Sequence, residues 1–168
     1  MRTNDMRIMV FLHGTTIMHK GAVGRTRDER VKQVIDREAS AKDFSSYVPI
    51  GDAVGKLRSW AQQGAEIVYM SSRENDDDLD KDIEVLRKYG FPLGEVLFRQ
   101  AGEDYGYAAK RVMPDLIIED DCESIGGETE MIYPQIDAEA RCKILSILVK
   151  EFGGIDHLPD ELPALQAE

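Results

Sequence analysis

Four short apolar runs punctuate this chain: RIMVFL (7–12), AEIVYM (65–70), EVLFR (95–99) and DLIIE (115–119). Runs of that length bounded by turn residues read as buried strands. Between them lie stretches whose apolar residues recur at helical spacing. Parallel strands need long crossovers, the usual crossover is a helix, and the helices then cover both faces of the sheet. The expectation is an α/β fold of three layers, α/β/α, around a mainly parallel sheet.

The helical stretches carry their own stop signals. GDAVGKLRSWAQQG predicts a helix over about 51–63, with Val54, Leu57 and Trp60 or Ala61 on one face and Gly64 ending it. Residues 76–89 repeat Leu79, Ile83, Leu86 and Tyr89, then meet Gly90 and Pro92. Another helix fits 102–112, blocked by Pro114. A tail helix is expected over 137–152, carrying Ile144, Leu145, Leu148, Val149 and Phe152 and closed by Gly153-Gly154. Residues 15–49 form a small helical insertion after the first strand, in which Thr26 and Glu29 match a capping box ahead of RVKQVIDRE. Residues 159–168 read as a frayed polar tail.

At 168 residues the chain, 1–168, is expected to be a single domain. Its net charge of -11, with basic residues scattered among acids, argues against a nucleic-acid partner. No apolar run reaches the roughly 18 residues that span a bilayer, so no membrane partner is expected. The N-terminal residues carry no secretory pattern, and the expected compartment is the cytoplasm. Cys122 and Cys142 fit neither a metal pair nor a disulfide framework. Both are read as reduced thiols, Cys122 made unreactive by Asp120, Asp121 and Glu123 around it.

In sheets of this kind ligands bind beyond the carboxyl ends of the strands. The loops at 13–16, 71–75, 99–102 and 120–126 are therefore where chemistry is expected. Their residues, VFLHGTT (10–16), IVYMSSR (67–73), Lys110 or Arg111 before Pro114, and LIIEDDCES (116–124), fall in a telling order. Over roughly 7–130 the chain resembles the haloacid dehalogenase-like superfamily of phosphatases and phosphotransferases, whose fold is Rossmann-like. That family reads strand-Asp-x-Asp-Gly-Thr, strand-Ser/Thr, a lysine, and strand-Asp-Asp.

The resemblance implies roles position by position. The nucleophilic aspartate of the first motif is replaced by Phe11, which has no nucleophilic atom. His13 takes the place of the acid/base aspartate and could move a proton near neutral pH. Gly14 and Thr15, in the turn that follows, would help bind the substrate. Ser71 corresponds to the phosphate-binding hydroxyl, with Ser72 as the alternative register and Arg73 able to reach a phosphate. Lys110 would balance its charge, and Asp120 with Asp121 would ligate magnesium.

Each of these residues also has a plainer reading. His13 could be a hydrogen-bonded structural residue, Asp120 and Asp121 could hold a turn, and the serines could cap the next helix. Arg73 could pair with Glu74 or Asp76, and Asp76, Asp77 and Asp78 suit a helix's first turn. Arg25, Arg27 and Arg30 lie where the family places a cap over its site, or on a solvated helix face.

Two functions remain open at this stage. One is a protein without the aspartyl nucleophile that binds a metal ion and/or phosphate or a phosphorylated small molecule, and that could act with a protein partner. The other is a divergent magnesium-dependent phosphohydrolase in which His13 and Asp120/Asp121 activate water.

Overall fold

The computed structural model describes residues 5–167. Five strands form one parallel sheet: β1 (Arg7–Phe11), β4 (Glu66–Met70), β5 (Val96–Leu97), β6 (Leu116–Asp120) and β7 (Leu145–Val149), in the order β5-β4-β1-β6-β7. β1 therefore lies at the centre, with Met9 opposite Val68 on one side and Ile117 on the other. The strand order reverses around it, so the carboxyl ends of β1, β4 and β6 open onto one crevice.

Alternation along β1 divides the core. Ile8, Val10 and Leu12 point to one face, where they meet Leu57 and Trp60 of α2 (Ala53–Gln62) and Val85 and Leu86 of α3 (Asp76–Tyr89). Met9 and Phe11 point to the other, against Tyr105, Ala108 and Ala109 of α4 (Tyr105–Lys110) and Ala140 of α5 (Ala138–Arg141). Three layers result, as the alternation of elements requires.

The helix ends are set by local chemistry. Asn75 caps α3 by accepting from the Asp78 backbone N–H, and Gly90 closes it at φ 73°, in the left-handed region. In the insertion, β2 (Ile17–Met18) pairs antiparallel with β3 (Val48–Pro49), and α1 (Arg27–Ile35) lies between them in sequence. Its capping box forms: Thr26 accepts from Glu29 N–H while the Glu29 carboxylate accepts from Thr26 N–H at 2.8 Å.

The expected tail helix over 137–152 is not formed. Only Ala138–Arg141 is helical; residues 145–149 are β7, paired in parallel with β6 from Leu116–Leu145 to Asp120–Val149. Spacing of Ile144, Leu145, Leu148 and Val149 suits a helix, but Ile144, Ile147 and Val149 are β-branched, and β6 presents an edge to be paired. Nor does the tail fray throughout. α6 (Leu162–Leu165) buries Leu165, and the Trp60 indole N–H donates to the Pro159 carbonyl at 3.0 Å. None of the described helices is long and apolar enough to cross a membrane.

Candidate functional site

A cavity of about 140 Å³ lies beyond the ends of β1, β4, β6 and β7. Larger hollows, such as one of about 530 Å³ beside α6, sit away from the strand ends and gather no comparable chemistry. Two walls of the smaller cavity differ in charge.

The acidic wall forms around Gly14, which turns the chain at φ 85°. Thr15 Oγ1 donates to Asp120 Oδ1 at 2.7 Å, and the Cys122 backbone N–H donates to Asp120 Oδ2 at 3.0 Å. Glu151, just past β7, accepts from both the backbone N–H and the hydroxyl of Ser124 at 2.7 and 2.6 Å. Asp121 accepts from the Glu151 N–H at 3.2 Å and pairs with the exposed Lys150. One carboxylate oxygen each from Asp120, Asp121 and Glu151 lies within 4.8 Å of the others.

Burial pushes the carboxyls of Asp120 and Glu151 above their ordinary range, and nearby acids push the same way. A divalent cation would relieve both strains by supplying positive charge to hard oxygen donors. The donor set fits such an ion: each carboxylate oxygen has a second lone pair beyond the hydrogen bond it accepts. Cys122 is buried between these acids, which with desolvation push its thiol far up and keep it inert.

The other wall is a hydrogen-bonded chain. Ser72 Oγ lies 2.6 Å from His13 Nδ1, and His13 Nε2 lies 3.0 Å from each oxygen of Asp82. Asp82 is fully buried on α3 and also accepts from Ser71 Oγ (2.7 Å) and Arg73 Nε (3.2 Å). Burial opposes its charge, but His13, Arg73 and Ser71 together outweigh burial and hold Asp82 below the usual carboxylate range. Burial likewise lowers the pKa of His13; Asp82 opposes that shift and Arg73 adds to it.

Arg73, 8% exposed, stacks its guanidinium 3.4 Å over the Phe44 ring and 5.1 Å from that of Tyr47. Its Nη2 has no hydrogen-bond partner among the described residues. The same is true of His19 Nε2, buried on the cavity wall beside Phe152, while His19 Nδ1 bonds Ser40 Oγ at 2.8 Å.

The sequence-predicted residues are thus sorted. His13, Gly14, Ser72, Arg73 and Asp120 line the cavity, and Thr15 and Asp121 stand directly behind it. Ser71 is fully buried and serves Asp82 and the Arg73 backbone N–H rather than facing the cavity. Lys110 is not brought to the site. It lies on the solvent side of α4 with its side chain 49% exposed and pairs with Asp137, the cap of α5. The cation in the cavity is Arg73.

Arg27 and Arg30 also turn from solvent, to Glu123 and to the carbonyls of Glu151 and Phe152. Sequence reasoning missed Asp82 and Glu151. Asp82 had a signal: it stands three residues after Leu79 and three before Val85, on the buried stripe of α3. Glu151 was hidden by reading β7 as a helix.

Phe11 occupies the end of β1. Its ring is 4% exposed and meets Tyr105 edge-on at 5.6 Å.

No family model matches the sequence, and no curated protein matches it either. Solved structures do. The chain is similar to a class C acid phosphatase from Bacillus anthracis with tungstate bound, at TM-score 0.57 and 14% identity, over 91% of this chain and 70% of that one. The likeness is one of fold. Two structures of the Pnkp1/Rnl/Hen1 complex, one titled as an RNA repair complex, match at TM-scores 0.54 and 0.55, each at 14% identity. They cover 90% and 89% of this chain, which spans 48% and 44% of theirs. The parallel sheet with helices on both faces agrees with the three-layer α/β/α fold expected from the order of the elements.

Proposed function

We propose that the protein binds a divalent cation of the magnesium type, with phosphate or a phosphorylated small molecule beside it, and does not carry out aspartyl-phosphate chemistry. The observation that carries this reading is the contrast at one sheet edge. Phe11, at the position that the sequence resemblance gives to the nucleophile, is part of the core, while Asp120, Asp121 and Glu151 converge at the ends of neighbouring strands. Asp120, Asp121 and Glu151 would hold the ion, which when bound would neutralise phosphoryl oxygens. Arg73, with an unpartnered Nη2, would meet the ligand's anionic group from the opposite wall.

Fold likeness to a phosphatase supports a phosphorylated ligand as the class to test first. Titration with magnesium and manganese, followed by thermal melting and calorimetry, should give a metal-dependent rise in Tm that Asp120→Asn abolishes. Inorganic phosphate should then bind more tightly with the metal present and less tightly in Arg73→Met. Metal-dependent phosphate release from an aryl phosphate, lost in both Asp120→Asn and His13→Gln, would instead favour a hydrolase that activates water through His13.

A further inference from the structure

Ser72, His13 and Asp82 come from three different elements and meet in one line. Ser72 Oγ to His13 Nδ1 is 2.6 Å, and His13 Nε2 to Asp82 is 3.0 Å. The direction of proton donation in this line is fixed by the backbone. The Ser72 N–H, 3.4 Å from Nδ1, can only donate, so Nδ1 presents its lone pair to Ser72. Nε2 then carries the hydrogen and gives it to Asp82. A hydroxyl, a neutral imidazole accepting from it, and a buried carboxylate orienting that imidazole make the arrangement that activates a serine, recognised by geometry and not by chain order.

Access separates this serine from its neighbour. Ser71 is sealed beneath the cavity, whereas Ser72 is half-buried and lines it. Arg73 lines it as well, its guanidinium fixed by Phe44, Tyr47 and Asp82, with Nη2 buried and without a hydrogen-bond partner among the described residues. A preset donor of this kind is what a developing oxyanion needs. Across the cavity stand Asp120 and Glu151, which repel an anionic substrate in the absence of a cation. An uncharged ester meets no such barrier, and about 140 Å³ admits a short acyl group.

We propose that Ser72 is a nucleophile for acyl transfer from small uncharged carboxylic esters, with His13 as its base and Asp82 as the positioning residue. Ser72 Oγ forms a bond to the ester carbonyl carbon as its proton passes to His13 Nδ1. The tetrahedral oxyanion lies against Arg73. Collapse breaks the bond to the leaving alcohol, which takes the proton from His13. Water then attacks the acyl-serine with His13 again as base, releasing the carboxylic acid and returning the proton to Ser72. The cavity and Arg73 are shared with the proposed metal and phosphate site, but no metal ion enters the cycle, so this inference does not depend on that reading.

The test is labelling of the full chain, in EDTA, by a fluorophosphonate, in which Ser72 Oγ would displace fluoride from phosphorus. Peptide mass mapping should place the adduct on Ser72. Its rate should fall at least a hundredfold in His13→Gln and at least tenfold in Asp82→Asn, and stay unchanged in Ser146→Ala, an exposed serine on β7 that does not line the cavity. p-Nitrophenyl acetate should give a burst of nitrophenol that Ser72→Ala removes. Absence of an adduct on Ser72, or an equal rate in His13→Gln, overturns the proposal. Should His13→Gln or Asp82→Asn fail to fold, Ser72→Cys decides the matter. Iodoacetamide at pH 7 should alkylate position 72 at least ten times faster in the native protein than in urea, and equal rates overturn it. EDTA separates the two readings, since a failed metal titration leaves this labelling unaffected.

Discussion

Gly14 and Asp120 lie too close for a methyl group to enter without a shift of a few tenths of an ångström: a Cβ on Gly14 would lie 3.1 Å from both carboxylate oxygens. The same carbon would lie 3.1 Å from Cγ of Glu151. Gly14 also sits at φ 85°, where a side chain costs about 1–2 kcal/mol. Gly14→Ala should therefore lower stability by at least that amount in urea unfolding. It should also weaken manganese binding, because the methyl displaces the two carboxylates that converge there.

Restoring the motif's aspartate should be costly. Phe11→Asp removes a ring packed on Tyr105 and Met70's side of the sheet and puts a carboxyl in its place. Loss of a buried Phe side chain alone destabilises by about 3–5 kcal/mol. Phe11→Leu, which retains apolar contact, should lose less; chemical denaturation of both variants measures the difference.

Asp82 holds the buried Arg73 by charge as well as by hydrogen bond. Asp82→Asn should destabilise by about 3–5 kcal/mol, the usual result of leaving one member of a buried ion pair behind. Adding Arg73→Met, which removes the stranded charge, should recover part of the loss. A double-mutant cycle in urea gives the coupling.

Stability should fall as pH rises through neutrality. Glu119, 1% exposed, has its carboxyl pushed by burial up to about 7, although the N–H groups of Ile132 and Tyr133 favour its charged form. A raised folded value means that the folded state holds more protons than the unfolded one. Its contribution is complete below the unfolded value and disappears as pH rises through about 7. Asp120 and Glu151 are raised too and act in the same direction. His13, lowered by burial, acts oppositely, its contribution being lost as pH falls below its unfolded value. Melting curves at pH 6 and 8 should show a lower Tm at pH 8, a gap that narrows in Glu119→Gln and on adding magnesium.

Much of this site could be read from sequence because strand ends and turns are local. VFLHGTT, IVYMSSR and LIIEDD each combine an apolar run with the polar residues at its end, and the sheet then brings those ends together. What escaped was decided by tertiary partners. KILSILV is helical or extended by spacing alone, and pairing with β6 selects the strand, which delivers Glu151 to the cavity. Lys110 sits at a plausible point in the chain, but α4 turns it outward to Asp137. Asp82 lies on a helix rich in acids, but its place on the apolar stripe marks an acid that needs buried partners.

The arginines of the insertion tie α1 to the loops around the cavity. Arg27 ties α1 to Glu123 and the Glu151 carbonyl, Arg30 ties it to the Phe152 carbonyl, and Val34 on the same helix forms part of the cavity wall. If a larger ligand needs α1 to lift, these bonds must first release. Its association rate would then stop rising with concentration and level off at the rate at which α1 lifts, well below the rate of encounter.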